Sequence, residues 1–109
     1  MEEQARFETS NAYRLFVNEL PEQLAQFEEV FKESSVASPE DVFRSASLFH
    51  KIKGGSGFLG LPQISEIAAR MEFLLNSPVF SLEEHRAEVW EGIQQLRSEV
   101  DKLPKPADV

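Results

Sequence analysis

Four times along the chain, apolar residues recur three and four places apart, and proline, serine or glycine punctuates the gaps between the runs. That spacing puts the apolar side chains of each run on one face of an α-helix, and no segment shows the strict alternation of a strand. In the first run the positions are Tyr13, Phe16, Val17, Leu20, Leu24, Phe27 and Phe31. Pro21 lies inside it, lacking an N–H and crowding the carbonyl four residues back, which predicts a kink or a break near Glu19. The run ends by Ser34-Ser35. Ser38-Pro39-Glu40-Asp41 then offers a capping hydroxyl, a proline suited to the first helical position and acids facing the helix dipole. The helix it opens is expected to bury Val42, Ser45, Phe49, Ile52 and Leu59, and to stop at Gly60. Pro62 opens a third helix that buries Ile64, Ile67, Ala68, Met71, Leu74 and Leu75 and stops at Asn76-Ser77-Pro78. Ser81 to Glu84 has the sequence form of a capping box, and Val89, Ile93, Leu96, Val100 and Leu103 follow it. The expected architecture is all-α: an antiparallel four-helix bundle over residues 11–103. A flexible arm or short extra helix at 1–10 precedes it, and a Pro-containing tail or linker at 104–109 follows.

A chain of 109 residues supplies one modest core. It has no cysteine, which excludes disulfides and Cys-based zinc sites and agrees with an expected cytoplasmic location. No apolar run approaches the ~20 residues of a membrane span, and neither a leader nor a membrane contact is expected. Nineteen acidic residues against eleven basic ones leave a net charge of −8, a poor match for nucleic acid, whose phosphates need basic faces. Between Val42 and Met71, however, Arg44, Lys51, Lys53 and Arg70 stand against Glu66 alone. An anionic partner is expected to meet the chain there. The two histidines are 35 positions apart with no carboxylate cluster to join either, so no metal site is expected. Gly54-Gly55-Ser56-Gly57 lacks the spacing and preceding strand of a phosphate-binding loop.

Chemistry concentrates on the second helix. Opposite its apolar stripe, the spacing groups Ala46, His50, Lys53, Gly54 and Gly57, a histidine and a lysine among residues with almost no side chain. Each glycine inside a helix costs about 1 kcal/mol relative to alanine, a cost that close approach of another backbone would explain. If the following turn centres on Leu61, His50 lies eleven residues before it and Glu72 eleven after, which sets the two at one height on antiparallel helices. A carboxylate there would accept a bond from Nδ1–H and leave the Nε2 lone pair free. Lys53, one turn on, could then stabilise an anion at Nε2. An oriented imidazole with an anion stabiliser and clearance for a partner fits nucleophilic catalysis through a covalent intermediate on His50. A single histidine on a helix face is ordinarily just solvated, and His85, among Glu83, Glu84 and Glu88, is read that way. The Phe stripe is expected in the core, with Phe58 alone a candidate for a docking patch, and Trp90 as a partly buried flank.

The run from Phe49 to Leu61, His-Lys-Ile-Lys-Gly-Gly-Ser-Gly within it, resembles the phosphoacceptor motif of histidine phosphotransfer (HPt) domains, with flanking pattern from about Tyr13 to Leu103. The double glycine after Lys53 and the acid at Glu72 are most similar to the N-terminal phosphotransfer domain of chemotaxis-type histidine kinases. Those often carry a second histidine near position 69, where this chain has Ala69. The resemblance implies a phosphorelay intermediate: His50 as phosphoacceptor, Lys53 at the phosphoryl oxygens and Glu72 orienting His50. It implies a receiver domain of a response regulator as partner, with Gly54 and Gly57 as clearance beside the histidine, and a histidine kinase as phosphoryl source. From helix face, charge and exposure, docking is expected to involve Ala46, Lys51, Phe58 and Arg70 as well. Lys51 and Arg70 also read as general basic surface. Such a domain is a carrier without its own ATP site, free-standing and monomeric or one part of a larger kinase. It binds no cofactor, and Mg2+ is expected from the receiver. The alternative is a helical module that docks receivers without being phosphorylated.

Overall fold

The computed structural model describes residues 11–32 and 36–106, and within them the chain forms four α-helices: α1 (Asn11–Phe31), α2 (Pro39–Phe58), α3 (Pro62–Leu75) and α4 (Leu82–Asp101). The arm expected at 1–10, the end of the first run at Ser34-Ser35 and the last three tail residues lie outside the described residues. Each helix packs on two others, α1 on α2 and α4, and α3 on α2 and α4, with α2 and α3 the most extensively joined pair. Neighbours run antiparallel: Phe27 stacks on Phe49 with ring centroids 3.9 Å apart, while Phe16 faces Gly55. None of these helices is long and apolar enough to cross a membrane.

The apolar stripes become the core. Leu20, Leu24, Phe27 and Phe31 of α1 meet Phe49 and Ile52 of α2, Ile64, Ile67, Ala68, Met71 and Leu75 of α3, and Val89, Ile93 and Leu96 of α4. Phe16, Val42, Leu74, Val100 and Leu103 sit half-buried at its edge. Two local expectations are narrowed or corrected. Of the kink or break expected at Pro21 there is no break, since helix α1 runs on through that residue. That residue is exposed while Leu20 and Leu24 on either side are buried, so packing of the stripe holds the helix through the lost bond. Ser81 makes no side-chain cap on α4. Its carbonyl instead takes the His85 amide at 3.0 Å and His85 Nδ1–H at 2.9 Å. Ser38, in contrast, forms a complete reciprocal box with Asp41: the Ser38 hydroxyl accepts the Asp41 amide at 3.0 Å, and the Asp41 carboxylate accepts the Ser38 amide at 3.1 Å.

The α2–α3 turn fixes where the site lies. Gly60 adopts φ +71°, a left-handed conformation that glycine takes without a Cβ penalty. The amide of Leu61 reaches back to the Ser56 carbonyl at 2.8 Å, so α3 departs directly alongside α2.

Candidate functional site

His50 sits mid-helix on α2 with its side chain 67% exposed, and Nδ1 lies 2.7 Å from Glu72 Oε2 on α3. A carboxylate can only accept, so Nδ1 carries the hydrogen and the neutral ring presents its lone pair at Nε2. The second oxygen of Glu72 meets Lys53 Nζ at 2.7 Å. One carboxylate thus serves the imidazole and the ammonium together, and it is only 17% exposed. The Lys53 hydrogen bond, more than the one from His50, holds the Glu72 carboxyl below the usual glutamate value against the opposing effect of burial. The expected trio therefore assembles, with the Lys53 ammonium paired to the same carboxylate that holds His50.

The glycines divide by role. A Cβ on Gly54 would meet nothing within 4 Å, so the surface next to His50 is open. One on Gly57 would lie in ordinary contact, 3.7 Å from Ser65 Oγ. On Gly55 it would fall 2.9 Å from the Phe16 ring; this glycine lets α1 approach α2 and has no part in the outward face. Phe58 is 81% exposed at the end of α2, and Phe73, to which the sequence reading gave no role, is 82% exposed beside Glu72. Phe43 is exposed too, seven residues before His50 and hence on the same side of α2 two turns away. Phe73 borders a cleft of about 460 Å³ that also includes Lys53, Ala69 and Glu72. The signal for it was present: position 73 falls off the α3 stripe of Ile67, Met71 and Leu75.

Three other expected docking residues lie elsewhere. Ala46 is corrected outright, being 2% exposed and part of the core. On the helical wheel it falls between Phe49 and His50, and the small side chain is drawn to the Phe49 side. Arg70 donates to Gln95 of α4 at 2.6 Å, away from Glu72. Lys51 lines a groove between α1 and α2 with Phe27, Leu48 and Arg44, and Arg44 pairs with Glu40 at 3.2 Å. The basic stretch of the sequence is therefore spread over several faces and forms no single patch at His50. Among the described residues no group of three or more His, Cys, Asp or Glu is arranged to hold a metal ion.

The sequence model of one protein family, the Hpt domain, matches residues 11–105. Comparison with curated proteins and with solved structures gives no match.

Proposed function

Because the chain belongs to the Hpt domain family, whose members are phosphocarriers in two-component signalling, we propose that His50 is the residue that carries the phosphoryl group. The observation that supports this is the pairing of an exposed imidazole with a carboxylate on Nδ1. In the proposed transfer the Nε2 lone pair attacks the phosphorus of a receiver's aspartyl phosphate. The Nε2–P bond forms, the P–O bond to the aspartate breaks, and the aspartate leaves as carboxylate. The ring becomes cationic with its proton still on Nδ1, and Glu72 faces that charge at 2.7 Å. The reverse step returns the group by the same geometry. Gly54 provides room for the incoming backbone, and exposed Phe43, Phe58 and Phe73 provide apolar surface around it. Glu72 is already committed to His50 and Lys53, so the divalent cation that phosphoryl transfer draws on is assigned to the receiver.

The test is incubation with a phosphorylated receiver domain while label is followed into this chain. Wild type is expected to take up acid-labile phosphate, and His50→Gln to take up none while keeping its helicity. Uptake persisting in His50→Gln overturns the proposal. Receiver binding by wild type without any uptake would instead support the docking module.

A further inference from the structure

Lys53 is held to α3 at both ends. Its ammonium meets Glu72, and its backbone carbonyl accepts the hydroxyl of Ser65, on α3, at 3.3 Å. The same carbonyl accepts Ser56 Oγ at 3.2 Å, a hydroxyl shared with the Ile52 carbonyl at 2.7 Å. Ser56 belongs to α2 and can steady only its own helix, whereas Ser65 reaches across. These bonds fall where α2 is intrinsically weakest, since three of the four residues after Lys53 are glycine and each lowers helix propensity. Ser65, Ala69 and Glu72 are spaced four and three apart and share one face of α3. That face looks onto Gly57 and Lys53: Ser65 Oγ is the atom nearest a Gly57 Cβ, and Ala69 borders the cleft with Lys53.

Axial register between the two helices sets the geometry of the site. A helix rises about 1.5 Å per residue, and a slide of that size would lengthen and misalign contacts that now stand at 2.7 Å, weakening both. Glu72 by itself fixes the register only loosely, because its long side chain can follow one partner through a small slide, though not hold both oxygens on two partners at once. A short hydroxyl on a backbone carbonyl has no such slack.

We infer that Ser65 is a positioning residue for the phosphotransfer site: its hydroxyl pins the main chain at Lys53 to α3 and so keeps Glu72 in reach of His50 Nδ1 and Lys53 Nζ together. This rests on His50 being the phosphoacceptor, yet one arm of the test needs no phosphate. Ser65→Thr and Ser65→Val are nearly equal in shape and β-branching and differ in the hydroxyl, and circular dichroism and Tm establish that both fold. In the unphosphorylated proteins, imidazole 15N shifts report the fraction of His50 with hydrogen on Nδ1. Ser65→Thr is expected to match wild type, and Ser65→Val to shift toward the mixture of tautomers of a solvated histidine. With a phosphorylated receiver, Ser65→Val is expected to transfer about two- to tenfold more slowly at unchanged receiver affinity, the scale of one hydrogen bond, and Ser65→Thr to restore the rate. A wild-type tautomer in Ser65→Val, or equal impairment in the two variants, overturns the inference. If wild type itself takes up no phosphate, the reading of His50 fails, and the tautomer arm still decides the role of Ser65.

Discussion

At His50 the chemistry depends on which ring nitrogen is free, and a single carboxylate decides it. Glu72 has one oxygen for Nδ1–H and one for the Lys53 ammonium, and both partners are donors. An amide in its place has one acceptor and one donor end, so it can serve only one of them and faces the other with like polarity. Glu72→Gln is therefore expected to slow transfer to or from a receiver by about tenfold or more, the scale of a hydrogen bond to a charged group, with receiver affinity and helicity retained. A wild-type transfer rate in that variant would show that the carboxylate does not orient the ring. The trio could be found in the sequence because helix spacing and a short turn set residues 50 and 72 at one height. The direction of Lys53 could not, because a flexible side chain settles on whichever anion is nearest, and in the unphosphorylated protein that is Glu72.

Among the helices, the glycine run of α2 looks uniform in sequence but serves two purposes. Gly54 faces open space, and Gly55 lies under the Phe16 ring. Gly54→Ala is expected to raise stability by up to ~1 kcal/mol through helix propensity alone. In Gly55→Ala the same gain is opposed by displacement of Phe16 from between α1 and α2, an overpacking cost of ~1–3 kcal/mol. Thermal or urea unfolding of the two variants should rank Gly54→Ala above Gly55→Ala, and the opposite order would contradict this division. Gly54→Leu should fold normally and lose receiver docking. Element existence, type and buried stripes were all readable from spacing. Pro21 left a break open because the packing that holds its helix on both sides does not show in spacing, and Ser81 misled because a capping box in sequence specifies residues but not the rotamer that closes it. Ala46 and Phe73 show the remaining gap, since spacing gives a residue's angle on its own helix but not how far the neighbouring helix covers that angle.

Across the whole bundle, α1 and α4 are clamped along their length. Glu28 takes Arg97 in two bonds of 2.6 and 3.0 Å and Gln94 at 3.0 Å. Arg86 donates to the carbonyls of Phe31, the last residue of α1, and of Lys32 just beyond it, at 3.3 and 2.6 Å, and the Tyr13 hydroxyl bonds the Pro104 carbonyl. The Arg97 hydrogen bond, outweighing burial, holds the Glu28 carboxyl below its ordinary value of 4.5, as Lys53 does for Glu72. A lowered folded value means stability that is fully present above the unfolded value and is lost as pH falls through the folded one. The free energy of unfolding should thus hold steady near neutrality and fall on acidification from about pH 5 downward, with a shallower fall in Glu28→Gln. Equal acid slopes in the two proteins would mean that the clamp adds no pH-dependent stability. The charge map was the least legible feature, because a linear run of basic residues on a helix points in several directions at once.

The central claim is that Nε2 of His50 is the nucleophile and that Glu72 keeps the proton on Nδ1. Nitrogen-15 and phosphorus-31 NMR of the phosphorylated protein, labelled in its histidines, tests both halves at once. The account predicts phosphorus coupled to Nε2 of His50, with Nδ1 of the same ring protonated. Phosphorus coupled to Nδ1, or found on His85, would contradict it.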